Sequence, residues 1–211
     1  MKAKLIVFLL VSVLLVPSIV NAGSLGANSL ITIPTADTLD SSELNLNYQH
    51  FDSLDFVLTS YGLREGVELG AAVISIDGAD DDNEVYPMVK VNLFKENNNY
   101  QPEVSLGVID DSLYLVASKS ISPYGFRAHV GIADDNEITD KAFVGLSKVL
   151  NPVSISTGDN EISIPTTTLM AEYNDQLNLG VDFAFSSGVS VNLGVLDMDD
   201  FTFGLGFKNR F

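Results

Sequence analysis

The chain has no cysteine and no tryptophan, and only two histidines. The lack of cysteine excludes disulfide staples and a lipid-anchored lipoprotein end. Basic residues are scarce, with 11 Lys and Arg against 28 Asp and Glu and a formal net charge of −17. Such a chain has nothing to neutralise phosphates, so no nucleic acid is expected as a partner, nor electrostatic docking to an anionic membrane surface. Catalytic motifs are also missing. No phosphate-binding Gly loop and no Cys-containing metal cluster exists, so no cofactor and no metal site is expected. Asp77–Glu84 carries calcium-type ligands without EF-hand spacing and reads as a solvated acidic loop. A wall-mounted hydrolase needs a Ser beside a His, and no strand offers a Ser in a recognisable pattern, so the chain is not expected to be an enzyme.

Long apolar runs are absent beyond Leu5–Val16. That run follows Lys2 and Lys4, is too short to span a bilayer as a helix, and leads to Val20-Asn21-Ala22. Residues 1–22 are therefore expected to be a secretory signal peptide, residues 23–42 a periplasmic N-terminal segment, and residues 43–211 the folded domain.

What the chain does have is alternation. It is 46% apolar with a mean hydropathy of +0.23, yet no helical period shows over any useful length. In the last eleven residues, Phe201, Phe203, Leu205, Phe207 and Phe211 share one parity, and Thr202, Gly204, Gly206, Lys208 and Arg210 the other. Strand side chains alternate between faces, so this is a ribbon with one greasy and one polar side. The same reading gives about twelve strands, at 43–51, 55–63, 67–76, 85–95, 103–109, 112–120, 125–133, 141–150, 167–173, 177–185, 189–196 and 200–208. The parity of 55–63 and 112–120 is ambiguous. A further small hairpin over 153–157 and 161–164 is conceivable.

The turns add a second signal. Numbered in order, the odd turns hold more than half of the 28 acids, among them Asp80, Asp81, Asp82, Asp134 and Asp135. The even turns hold only Glu65, Glu96, Asp159 and Glu161. Alternate turns of an up-and-down barrel lie on opposite sides of a membrane, so one rim is expected to be acidic and to face outward. The expected fold is thus all-β, a closed antiparallel up-and-down transmembrane barrel of about twelve strands.

The other parity points inward and is small and polar. Gly70, Gly107, Gly131, Gly145, Gly180, Gly194, Gly204 and Gly206 fall there. So do the charged candidates Glu68, Lys90, Arg127, His129, Glu172, Asp182 and Lys208. Eight strands fill their own interior and 16–18 leave a channel, so twelve leaves both a narrow pore and a plugged barrel open.

The C-terminal strand with Phe207 and the final Phe211 resembles that of bacterial outer-membrane β-barrels. The resemblance implies an assembly signal there, with the barrel-assembly machinery and outer-membrane lipid as partners. Gly26-Ala-Asn-Ser-Leu-Ile-Thr-Ile-Pro-Thr-Ala-Asp-Thr-Leu39, Glu43-Leu-Asn-Leu-Asn-Tyr48 and Tyr61-Gly-Leu-Arg-Glu-Gly-Val-Glu-Leu-Gly70 resemble the N-terminal portion of YjbH-type outer-membrane proteins, over roughly residues 26–73. That resemblance implies a link to exopolysaccharide. Ile33-Pro34-Thr35 recurs as Ile164-Pro165-Thr166, which suggests a structural staple at the periplasmic rim. The function expected is a narrow porin-like channel for ions or small solutes. The alternative is a non-conducting structural or surface-binding barrel, accessory to polysaccharide export.

Overall fold

The computed structural model describes residues 28–51, 54–76, 84–97, 99–121, 124–134, 142–151 and 164–211. Twelve strands form: β1 Glu43–Phe51, β2 Leu54–Arg64, β3 Val67–Ile76, β4 Glu84–Phe94, β5 Glu103–Ile109, β6 Ser112–Ile121, β7 Phe126–Ala133, β8 Ala142–Val149, β9 Thr166–Tyr173, β10 Leu177–Ala184, β11 Val189–Leu196 and β12 Asp200–Arg210. Each pairs antiparallel with its neighbours in sequence, and β12 returns to β1 to close the barrel. The closing seam runs from Glu43↔Arg210 to Phe51↔Thr202 without a register shift. Closure leaves no unpaired sheet edge, the condition for strands to cross hydrocarbon. The candidate hairpin after residue 152 lies outside the described residues.

The two faces of the wall differ as the alternation predicts. Leu46, Val57, Leu69, Val89, Leu115, Val130, Ile132, Val144, Leu179 and Leu205 are exposed on the outside. An apolar surface continuous around a barrel is a lipid-facing belt, far beyond what water tolerates. One departure has a local cause. Phe94 shares sequence parity with inward-facing Met88 and Lys90, yet is exposed, because the register of β4 on β5 shifts between Asn92 and Phe94. A bulge of this kind turns the following side chain to the other face.

The up-and-down order places the start of β1 and the end of β12 at one end, here called the terminal end. The turns carrying Asp110, Asp111, Asp134, Asp175, Asp197 and Asp199 lie at the opposite, far end. Asp80, Asp81, Asp82 and Asp135 fall outside the described residues.

The segment set apart by sequence as a periplasmic stretch is found, over residues 28–40, inside the barrel. Ile31, Ile33, Ala36 and Leu39 are all buried. From the start of β1 the chain passes the wall at Gly62, where a Cβ would stand 1.9 Å from the Asp40 carbonyl oxygen. Only glycine permits so close an approach. The segment then ascends and folds back in a tight turn, with the Leu30 N–H on the Ile33 carbonyl at 2.9 Å and a bridge between Ser29 and Pro34. Ile33, Pro34 and Thr35 therefore belong to this internal hairpin and not to a rim staple. Ile164-Pro165-Thr166 stands at the entry to β9, where the Asn151 side chain donates to the Pro165 carbonyl at 2.7 Å.

Candidate functional site: a plugged lumen

Four sets of inward side chains hold residues 28–40. Nearest the far end, the Glu172 carboxylate on β9 accepts the backbone N–H groups of Ile31 (2.9 Å), Thr32 (2.8 Å) and Ile33 (3.3 Å). It also accepts the Thr32 hydroxyl and the Asn178 side-chain amide. A turn leaves successive N–H groups pointing the same way, and a buried carboxylate needs several donors to repay its lost hydration. Each requirement meets the other.

Lower down, Ala36 is gripped by its backbone. Its N–H donates to Ser118 Oγ at 3.0 Å, and its carbonyl accepts from Ser105 Oγ at 2.5 Å. Ser118 Oγ lies 2.8 Å from His129 Nδ1 on the neighbouring strand. The Ser–His adjacency not visible in the sequence is thus present, since Ser118 and His129 pair across β6 and β7. Ser118 is buried beneath Ala36 at 1% exposure, and His129, at 3%, borders the chamber beside it.

The third grip is Arg127. Its guanidinium meets Asp37 through Nε (3.3 Å) and Nη2 (2.8 Å), Glu103 through Nη2 (2.9 Å) and Glu96 through Nη1 (2.5 Å). Glu96 lies in the β4–β5 connection at the terminal end. Burial pushes its pKa up, but the Ser120 N–H, Arg127, Lys119 and the Ser120 hydroxyl outweigh that and hold it down at about 2. At the exposed end of the same connection, hydrogen bonding and charge from Lys95 hold Glu65 below its usual range. The fourth grip pairs Lys90 with Glu68 at 3.8 Å. Lys90 donates to the Asp37 carbonyl (2.7 Å), and Glu68 accepts the Leu39 N–H (3.2 Å).

Apolar contacts fill the rest of the far half. Ile33 and Ala36 pack with Leu58, Ala72, Met88, Ile109, Tyr114, Val116 and Phe143. Phe51, Phe56 and Ile74 form a second cluster at the far end, with Phe51 and Phe56 edge to face at 5.2 Å. The inward glycines give the hairpin its room. A Cβ at Gly145 would meet Ile33 Cδ1 at 2.7 Å and Leu30 Cδ2 at 2.8 Å, and one at Gly180 would meet Ile31 Cγ1 at 2.9 Å.

The terminal half is different. Between the hairpin and the wall from β7 round to β1 lies a chamber of about 500 Å³. Its wall is mixed, with Asn45, Asn47, Gln49, Asn192, Asp182 and Lys208 among the polar lining residues and Met170, Phe185 and Val189 among the apolar ones. Lys208 donates to the Asn28 side-chain carbonyl at 2.5 Å.

All seven inward candidates thus face the lumen, but they do not form one site. Glu68, Lys90, Arg127 and Glu172 bond the hairpin directly and His129 supports Ser118 behind it, whereas Arg127, His129, Asp182 and Lys208 line the chamber. Sequence reasoning missed Asp37, Ser105, Ser118 and the amides of β1. Phe207 and Phe211 are exposed on the outside, and the Phe211 N–H reaches the Ser42 carbonyl at 3.0 Å. Among the described residues no group of three or more His, Asp or Glu side chains is arranged to hold a metal ion.

No family profile and no curated protein matches the chain. Two solved structures are similar in shape at 13% sequence identity. One is a KdgM porin, with a TM-score of 0.49 over 80% of this chain and 99% of that chain. The other is a KdgM porin in complex with disordered oligogalacturonate, with a TM-score of 0.48 and the same coverage.

Proposed function

We propose that this protein is a small porin-type channel of the bacterial outer membrane, shut by its own residues 28–40 and passing ions or small solutes when that segment moves. One observation carries the reading: the obstruction is not part of the wall. Residues 28–40 supply no strand to the barrel and are held by side chains, so they can leave without breaking any strand pairing. Behind them is a chamber of about 500 Å³ with several polar side chains in its wall. The lipid belt and the acidic far-end turns fit a barrel inserted by the assembly machinery with its acidic rim outward, and Phe207 and Phe211 fit the part of β12 that machinery would read.

The test is conductance of the refolded protein in planar bilayers. Ile33→Cys with Gly145→Cys should lock the hairpin when oxidised, because the Ile33 side chain lies 2.7 Å from where a Cβ at 145 would stand. The expected result is silence when oxidised, brief openings when reduced, and steady current when residues 28–39 are deleted. A deletion variant that is folded and silent would overturn the channel reading. The burial of Glu172 and Glu68 at 2% exposure under the hairpin favours the second reading, a permanently closed barrel serving in envelope structure, surface binding or exopolysaccharide export.

A further inference from the structure

The chamber wall contains an unusual set of unmet hydrogen-bonding groups. Asn45 is 3% exposed, yet its Nδ2 has no partner, and Asn47 Oδ1 is buried without one. Gln49 is 4% exposed, and its Nε2 donates to Thr202 Oγ1 at 2.6 Å. Gln49 Oε1 and the Asn192 amide lean over Gly204, within 2.1 and 2.6 Å of where a Cβ would sit. Buried amide groups left unpaired cost about 1–3 kcal/mol each, so a wall that keeps them is built for something that pairs with them.

Asp37, Arg127, Asp182 and Lys208 are the Asp, Glu, Lys and Arg residues that line the chamber among the described residues. Arg127 and Asp37 satisfy each other. Asp182 on β10 has no hydrogen-bond partner among the described residues, and Lys208 on β12 has only the neutral Asn28 oxygen. An ammonium has three donors, so Lys208 keeps two for another acceptor. Asp182 and Lys208 are not within ion-pair distance of each other. Two strand spacings separate β10 from β12, roughly 10 Å before the side chains reach inward.

We infer that the chamber binds a short zwitterionic peptide of two or three residues, its amine at Asp182, its carboxylate at Lys208 and its backbone amides on the side-chain amides of β1 and β11. A free amino acid holds its charges too close together to meet both ends. A peptide carries amide donors and acceptors between its charges, the complement of Asn45 Nδ2 and Asn47 Oδ1. The volume of about 500 Å³ suits a ligand of this size. As the solute class of the channel this rests on the reading above; as a binding site it holds whether or not the barrel conducts.

Calorimetric titration of the refolded full chain with trialanine tests it. N-acetyl-trialanine, trialanine amide and maltose serve as comparisons. Trialanine should bind, and each blocked form should bind about tenfold or more weakly, the scale of one lost charge-assisted hydrogen bond. Asp182→Asn should abolish the preference for the free amine alone, and Lys208→Met that for the free carboxylate alone. Each variant is the folding control for the other, because each should keep the opposite preference. No binding of trialanine, or equal binding of a blocked form or of maltose, overturns the assignment. Because the titration needs no current, its failure is distinct from failure of the channel.

Discussion

Glu172 Oε1 accepts both the backbone N–H of Thr32, at 2.8 Å, and the Thr32 hydroxyl. The contact spans 140 positions in sequence and ties the tip of the hairpin to the barrel wall. Glu172→Gln keeps the shape but removes the charge and turns an N–H toward backbone N–H groups. Hydrogen bonds to a charged group contribute about 1.5–3 kcal/mol, so the tip should loosen by that order. Amide hydrogen exchange at Ile31–Ile33 should accelerate by about tenfold or more, with the strand amides unchanged. Unaltered protection at those three amides would show that Glu172 does not hold the hairpin.

Glycines facing the same lumen should respond differently to a methyl group. A Cβ at Gly107 would stand 2.0 Å from Tyr114 Cζ, and the Tyr114 ring is 1% exposed with no free direction. Gly107→Ala should destabilise the folded barrel by about 1–3 kcal/mol, the usual cost of overpacking, read as a lower midpoint in urea. At Gly180 the two nearest atoms, Ile31 Cγ1 at 2.9 Å and Cδ1 at 3.0 Å, belong to the hairpin, and the nearest wall atom is the Leu193 carbonyl oxygen at 3.3 Å. Gly180→Ala should leave the urea midpoint nearly unchanged and raise the frequency of channel openings. Equal loss of stability in both would mean that wall and hairpin unfold as one unit.

Most of the wall was legible because alternation is a local signal. The expected strand bounds at 43–51, 67–76, 103–109 and 189–196 coincide with β1, β3, β5 and β11. The internal hairpin was not legible, since its contacts join residues far apart in sequence and its own side chains have no period. Its trace was nonetheless present in the two strands of ambiguous parity. In β2, Phe56 and Leu58 face inward while Val57 and Leu63 face lipid, and in β6, Tyr114 and Val116 face inward while Leu113 and Leu115 face lipid. A strand apolar on both faces in a barrel otherwise polar inside marks where something apolar fills the lumen. The inward glycines at 145 and 180 show in the sequence only as small inward residues, and the structure places each against Ile31 or Ile33. The amides of β1 were seen only as the polar side of a ribbon, because pairing across to Gly204 and Gly206 depends on closure of the seam.

Glu96 gives the barrel an acid-sensitive joint. Its pKa in the folded protein is held at about 2, below the ordinary 4.5 of a free glutamate. A depressed carboxylate stabilises the fold above its unfolded value, and the contribution fades as pH falls through the interval toward the folded value. Stability should therefore drop between about pH 4.5 and 2, by on the order of 2 kcal/mol from this group. Glu96→Gln should be less stable at neutral pH and show a flatter acid limb over that interval. Urea midpoints measured across the range decide it; identical limbs for both proteins would remove Glu96 from the joint with Arg127.

The sorting of acids between the two ends of the barrel makes its orientation testable. Asp110, Asp111, Asp134, Asp175, Asp197 and Asp199 share the far end with the turns that contain residues 81 and 135. Residues 97 and 187 lie in turns at the terminal end. The chain has no cysteine, so single cysteines can be introduced without background. A membrane-impermeant thiol reagent on intact cells should label Cys at 81 or 135 and spare Cys at 97 or 187. Labelling in the reverse pattern would invert the topology and place the acidic rim inside.

The ion preference of the opened channel should come from the lumen more than from the rim. Glu68, Glu172 and Asp182 balance Lys90, Arg127 and Lys208, which on sequence alone left the lumen neutral and the preference to the exposed turns. The structure adds Glu103 at the start of β5, 2.9 Å from Arg127, which leaves the wall of the passage with one acid more than its bases once the hairpin and its Asp37 have moved aside. Rim charges in water are screened over about 8 Å at physiological salt, whereas partly buried groups are screened far less. The reduced Ile33→Cys, Gly145→Cys protein keeps every one of these acids and suits the measurement. Its reversal potential in a salt gradient should report cation preference, and that preference should persist in part at 1 M salt. Glu103→Gln should weaken it more than Asp199→Asn, because Glu103 lies inside the passage and Asp199 on the far-end turn. Anion preference, or a preference lost at high salt and indifferent to Glu103, would return the selectivity to the rim.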